Sequence, residues 1–266
     1  MSQPTTTVLE TIVARTRERV AERRRARPLE EVRAGAAGAP SRRPFAEALA
    51  RPGRINVIAE HKRRSPSRGS IREDLAPAQV ARAYETGGAA ALSVLTDEDF
   101  FGGRLDHLVE ARSATTLPAL RKDFVIDAYQ VWEARAAGAD AVLLIVAVLD
   151  DRDLVTLLAE TAEAELEALV EVHDGPELER ALAVGARVVG VNSRDLKTLS
   201  VSLETATSLA PRIPDAVVAV AESGIKTGGD LRRLREAGYD AFLVGEHLMS
   251  APDPGAALRA LIEEAR

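Results

Sequence analysis

Apolar residues in this chain arrive in short runs. Each run is followed by a loop, then by a stretch whose apolar positions fall three or four apart, then by a glycine-containing turn. Eight such runs occupy 55–60, 90–95, 118–122, 140–146, 166–172, 187–192, 216–222 and 240–245. Their length and β-branched content predict buried strands. The intervening segments, such as "PAQVARAYETGG", "QVWEARAAGAD", "GPELERALAVGA" and "GGDLRRLREAGYD", carry helical periodicity, each with a glycine where the helix should stop. Strands alternating with helices imply βα units and a parallel sheet, and eight units in roughly 210 residues predict a closed (β/α)8 barrel. An open doubly wound sheet is the alternative, but no Gly-rich dinucleotide fingerprint follows the first run.

Residues 1–50 precede the repeat. Leu9, Ile12, Val13, Thr16 and Val20 keep helical spacing, and Glu10, Glu18 and Glu22 count against a transit peptide, which is poor in acids. The arginine cluster Arg23, Arg24, Arg25 and Arg27 is expected to be a solvated helix end. The whole chain, 1–266, is therefore expected to be one barrel domain with a helical N-terminal extension.

Composition removes several functional classes. The net charge is −6 and only 3% of residues are aromatic, which excludes a basic nucleic-acid surface and stacking platforms for single strands. No apolar stretch is long enough for a membrane helix. Cysteine is absent, so disulfides, thiolate metal sites and thiol nucleophiles are impossible, in keeping with a reducing cytoplasm. Only four of the 35 basic residues are lysines: Lys62, Lys122, Lys197 and Lys226. A chain that otherwise uses arginine for charge marks its lysines for work a guanidinium cannot do, such as giving up a proton.

Active sites of such barrels lie at the C-terminal ends of the strands. Reading those ends in order gives Glu60 and Lys62, Lys122, Glu171, Asn192, Glu222 and Gly245. With these turned inward, alternation places Ile58, Leu120, Leu169, Gly190 and Val220 beneath them. Ionisable groups on four strands, with Asn192 on a fifth, converging over an apolar floor predict an active site. The segments "AESGIKTGGDL" and "LVGEHLM" after the last two strands offer free backbone N–H groups beside helix starts, a phosphate-binding arrangement.

Seven motifs, "IAEHKRRSPSRG", "SVLTDEDFFGG", "LRKDFVIDAYQ", "LVEVHD", "VGVNSRDLKTL", "VAESGI" and "FLVGEHLM", together resemble indole-3-glycerol phosphate synthases, in order from about residue 5 to the end. The resemblance implies closure of 1-(2-carboxyphenylamino)-1-deoxyribulose 5-phosphate to indole-3-glycerol phosphate with loss of carbon dioxide and water. It implies no metal or organic cofactor and a small phosphorylated substrate as partner. A monomer is expected, with association with other tryptophan-pathway enzymes left open. By motif position, Lys122 would be the general acid of ring closure, and Lys62 would act on the developing hydroxyl. Glu171 would be the base of dehydration, with Glu60, Asn192, Glu222 and Arg194 positioning the lysines and sugar hydroxyls. Ser223, Gly224, Gly245 and Glu246 would hold phosphate. Leu95, Phe101, Phe124, Leu144 and Leu243 would wall the anthranilate ring. The Ser/Pro/Arg loop after Lys62 would fold over substrate.

The sequence departs from the family pattern in places. His61 should point to the helix layer. Glu246 should turn its carboxylate outward and offer only its N–H. His173 is taken as loop structure, Trp132 as packing, and Ala128, where the family has proline, as a helix start. Two rivals are weighed: a phosphoribosylanthranilate isomerase or other sugar-phosphate barrel enzyme, and a barrel without catalysis serving as a binding subunit.

Overall fold

A computed structural model describes residues 7–195 and 198–266; Lys197 lies outside the described residues. The eight strands are β1 (Asn56–His61), β2 (Ala91–Leu95), β3 (Ala119–Lys122), β4 (Ala141–Ile145), β5 (Glu167–Val172), β6 (Val188–Asn192), β7 (Val218–Glu222) and β8 (Ala241–Val244). Each pairs in parallel with its sequence neighbours, and β8 closes back onto β1. This is the (β/α)8 barrel that the strand–helix alternation implies.

Three helices precede the barrel: α1 (Val8–Ala26), α2 (Leu29–Ala36) and α3 (Phe45–Leu49). Thr7 starts α1 with a reciprocal capping box to Glu10, and the helix buries Ile12, Val13, Thr16 and Val20. Of the helix end expected to be solvated, Arg24, Arg25 and Arg27 are exposed and Arg23 is partly covered, while several arginines of the helix also make long-range ion pairs. Arg15 and Arg19 pair with Asp99, Arg19 and Arg23 with Glu98, and Arg24 with Asp127. Those acids sit on loops 75 or more residues away in sequence, so a local charge pattern could not show the clamp. α3 closes the lower end of the barrel. Phe45 and Leu49 are fully buried among the inward-facing residues, and the Asn56 amide donates to the Leu49 carbonyl at 2.8 Å.

The strand-linked helices are α4 (Pro77–Gly87), α5 (Leu105–Ser113), α6 (Ala128–Ala136), α7 (Asp151–Glu163), α8 (Gly175–Ala183), α9 (Leu203–Leu209) and α10 (Gly228–Ala237). A short α11 (Glu246–Met249) starts immediately after Gly245, and α12 (Pro254–Glu264) follows it. Gly88 and Gly238 end α4 and α10 in the left-handed region that favours glycine. Asp127 caps α6 through the Tyr129 N–H, so Ala128 opens the helix without a proline.

The apolar side chains divide into two layers. Ile58, Leu120, Leu143, Leu169, Val188, Val220 and Leu243 fill the barrel interior, while a larger cluster joins the outer strand faces to the helices. The interior residues form a packed floor, and the polar strand ends stand above it.

Candidate active site

Register brings the strand ends together. Glu60 lies opposite Ser93, Leu95 opposite Lys122, Ile145 opposite Glu171, and Asn192 opposite Glu222. Gly190 is opposite Glu171 on β6, and a Cβ there would collide with the Glu222 carboxylate. Only glycine leaves room for that acid to lean across the mouth.

The resulting cavity, about 870 Å³, is lined by Glu60, Lys62, Lys122, Glu171, Asn192, Arg194 and Glu222. Lys122 Nζ lies 3.2 Å from Glu171 Oε2 and 3.9 Å from Glu222 Oε2. Lys62 Nζ lies 3.0 Å from Glu60 Oε1, and Ser93 donates to the other Glu60 oxygen at 3.2 Å. Ser93 was not singled out from the sequence; its opposition to Glu60 appears only when β1 and β2 are set in register.

These contacts fix the charges. Burial works against the Lys122 ammonium, but Glu171, Glu222 and Glu60 outweigh it and raise its pKa. Glu171 is buried as well; Lys122 and His173 overcome that penalty and hold it well below the ordinary carboxylate range. Glu60 is lowered too, because Lys62 and Lys122 overcome its burial. Glu222 moves the other way. Burial, then the adjacent Glu171 charge, push it well above the usual range.

One edge of the cavity is apolar. Leu95, Phe101, Phe124 and Leu243 line it, with the two phenyl rings tilted and 6.2 Å apart between centroids. Leu144 does not join them. It packs in the outer cluster against the helices, and its neighbours Leu143 and Ile145 line the cavity instead. Leu143 is paired with the inward Leu169, so the expectation for β4 was one residue out of register.

Ser223, Gly224, Gly245 and Glu246 line the cavity where the chain leaves β7 and β8. Ser223 and Gly224 both adopt positive φ, 66° and 83°, so the chain turns sharply out of β7. Glu246 has partners that the sequence did not show. Its carboxylate lies 3.1 Å from Arg68 and 3.9 Å from Arg194 at the rim, so two guanidinium groups engage it. Asn192 Oδ1 accepts the Arg194 N–H at 3.0 Å, and Arg194 also donates to the Leu199 carbonyl. The loop after Lys62 forms a two-stranded ribbon, Arg64–Ser65 against Gly69–Ser70, and brings Ser67 and Arg68 to the mouth.

His61 is buried and faces the helix layer, edge-on to His107. His173 does reach the site, within 3.3 Å of Glu171. The i, i+2 spacing of Glu171 and His173 was the available signal, but the chain has left β5 by residue 173 and alternation no longer predicts direction.

A family model described as indole-3-glycerol phosphate synthase matches residues 9–261. The chain is 49% identical over 263 residues to an indole-3-glycerol phosphate synthase of Albidiferax ferrireducens, covering 98% of this chain and 100% of that protein. It is 51% identical over 255 residues to that of Laribacter hongkongensis, covering 94% and 97%. It is 50% identical over 255 residues to indole-3-glycerol phosphate synthase 2 of Streptomyces coelicolor, covering 96% and 98%. Among solved structures, a thiamine phosphate pyrophosphorylase from Pyrococcus furiosus superposes with TM-score 0.62 at 18% identity, over 83% of this chain and 96% of that one. A mandelate oxidase superposes with TM-score 0.59 at 19% identity, over 80% and 72%. These two share the fold alone.

Proposed function

The chain belongs to the indole-3-glycerol phosphate synthase family, and on that premise we propose how the barrel mouth carries out the family's ring closure, decarboxylation and dehydration. The carrying observation is Lys122 set 3.2 Å from Glu171, between an apolar edge and an edge of turned backbone amides. An aryl ring bearing a carboxylate fits the first edge and a sugar phosphate the second. The ketone between them then falls at the lysines.

Attack of the aryl carbon on the ketone carbon forms a C–C bond and builds negative charge on the ketone oxygen. Lys122, held charged, donates the proton that makes this oxygen a hydroxyl. A ketone oxygen entering beside Nζ displaces Glu171 from it, and an ammonium that loses a carboxylate neighbour releases its proton more readily. Breaking the bond to the carboxyl group expels carbon dioxide and restores the aryl ring. Lys62, aimed by Glu60, then protonates the departing hydroxyl, and Glu171 takes the remaining proton as water leaves. Asn192 and Arg194 hold the sugar hydroxyls, and Ser223, Gly224, Gly245 and the Glu246 N–H hold the phosphate. The isomerase rival would need no such set of two lysines and a base. The lack of cysteine is in keeping with a reducing cytoplasm.

The test is fluorescence of the purified protein mixed with the carboxyphenylamino deoxyribulose phosphate. Indole emission should grow with one carbon dioxide released per turnover. Folded protein giving neither signal would return the chain to the binding-subunit reading.

A further inference from the structure

His173 stands one residue past β5, its ring suspended between two carboxylates. Nδ1 lies 3.0 Å from Oε2 of Glu177 on the first turn of α8, and Nε2 lies 3.3 Å from Oε1 of Glu171. The His173 backbone N–H donates to the same Glu177 oxygen at 2.8 Å, so one carboxylate fixes both the ring and its attachment point. The side chain is only 13% exposed. A neutral imidazole has a proton on one nitrogen only. The Nδ1 contact is a hydrogen bond and the Nε2 contact an ion-pair distance without hydrogen-bond geometry, so a neutral ring would aim a lone pair at one of the two acids, whereas a charged ring is attracted by both.

Glu171 is thereby divided between two cations. Its Oε2 faces Lys122 from β3 and its Oε1 faces His173. Asn192 from β6 and Glu222 from β7 complete its surroundings, with Glu60 from β1 and its partner Lys62 further off. Arg180 on α8 does not compete for the site, because it is engaged by Asp151 and the carbonyls of Val146 and Leu149.

We infer that His173 is a positioning residue: an imidazolium bridge from Glu177 that orients the Glu171 carboxylate and keeps it ionised for the dehydration step. The inference rests on the reading of Glu171 as the base. Burial opposes the charge on His173, but Glu171 and Glu177 prevail and raise it to about 10, consistent with the geometry. The bridge also bears on which of the neighbouring Glu171 and Glu222 carboxyls binds a proton more tightly. A cation on the outer side of Glu171 alone favours the proton on Glu222, leaving Glu171 free to accept one.

Nitrogen-15 spectra of the four histidines test the bridge without reference to turnover. One ring, absent from the spectrum of His173→Gln, should be an imidazolium at pH 8; a neutral His173 ring at pH 8 overturns the inference. Kinetics test its consequence. In His173→Gln, kcat should fall about 10–100-fold, the cost of a misplaced catalytic group, with KM changed less than about threefold. Glu177→Gln, which leaves His173 in place, should give a kcat that declines with rising pH at least about one unit earlier than wild type, as the less supported imidazolium deprotonates. A purely structural role would leave that limb unmoved, and an unmoved limb in Glu177→Gln together with wild-type kcat in His173→Gln would refute the bridge. Glu171→Gln separates the two readings. If it keeps wild-type kcat while the His173 ring still reads as charged in the unmutated protein, the base assignment fails and the bridge stands as electrostatics only.

Discussion

Arg121 and Lys122 are adjacent on β3 and point to opposite faces. Arg121 is fully buried under the helices, where it meets Asp123, Glu133 and the Gln130 carbonyl. A permanent, multiply donating guanidinium suits that place. Lys122 enters the mouth, where the proposed ring closure calls for a transferable proton. Lys122→Arg keeps the charge but removes the usable proton. Its kcat should drop about 10²–10⁴-fold, the range for lost general acid catalysis, with KM changed far less. Turnover within a few-fold of wild type would reduce Lys122 to a fixed charge and move the acid role to Lys62. His61 makes the opposite case. Burial, then His107 and Arg63, lower its pKa to about 4. Between pH 6.5 and 4 the unfolded chain binds a proton that the native ring refuses, so stability present above pH 6.5 is lost as pH falls toward 4. By urea titration, the stability gap between pH 7 and pH 5 should shrink by about 2 kcal/mol in His61→Val, from 1.36 kcal/mol per unit. The pH–rate profile should not move, because the ring faces away from the cavity. An unchanged gap would assign the acid sensitivity elsewhere.

At the level of elements, β4 is the informative strand. "DAVLLIV" is apolar on both faces, as strands buried between a core and a helix layer are, and nothing in its pattern says which leucine looks inward. Pairing with β5 settles it for Leu143. Two truncations separate the faces. Leu144→Ala should cost about 2–5 kcal/mol of stability and leave KM within about threefold. Leu143→Ala should also destabilise, but should raise KM by more than that because it removes part of the cavity wall. Equal KM values in the two variants would contradict the register. The α1 clamp has a similar logic. Its arginines grip Glu98 and Asp99, and the same loop carries Phe101 to the apolar edge of the cavity. The extension and the apolar edge of the cavity are thus parts of one structure, although 75 to 84 residues of sequence separate the paired charges.

For the molecule as a whole, barrel closure brings the turn after β7 beside the start of α11, so the amides around Ser223, Gly224 and Gly245 border one corner of the cavity. Inorganic phosphate and sulfate should therefore inhibit competitively against substrate, read as a rise in apparent KM at constant kcat. Mixed or absent inhibition would remove the phosphate from this corner. The Arg68–Glu246–Arg194 cluster lies at the same rim.

The amino-acid order alone determined the eight strand–helix units, their closure and the floor of Ile58, Leu120, Leu169 and Val220. It also placed Glu60, Lys122, Glu171, Asn192 and Glu222 at strand ends. These are local matters of periodicity, in which residues two apart share a face and a barrel collects its strand ends at one mouth. Only the tertiary structure decided the rest. Ser93 against Glu60, Leu143 rather than Leu144, Glu246 between two arginines, the α1 clamp and the His173 bridge all depend on strand register or on loop paths beyond the strand. Contacts between residues distant in sequence leave no period to read, and where the chain leaves a strand, alternation stops. That is why the acids and bases of the mouth were visible beforehand and the groups that aim them were not.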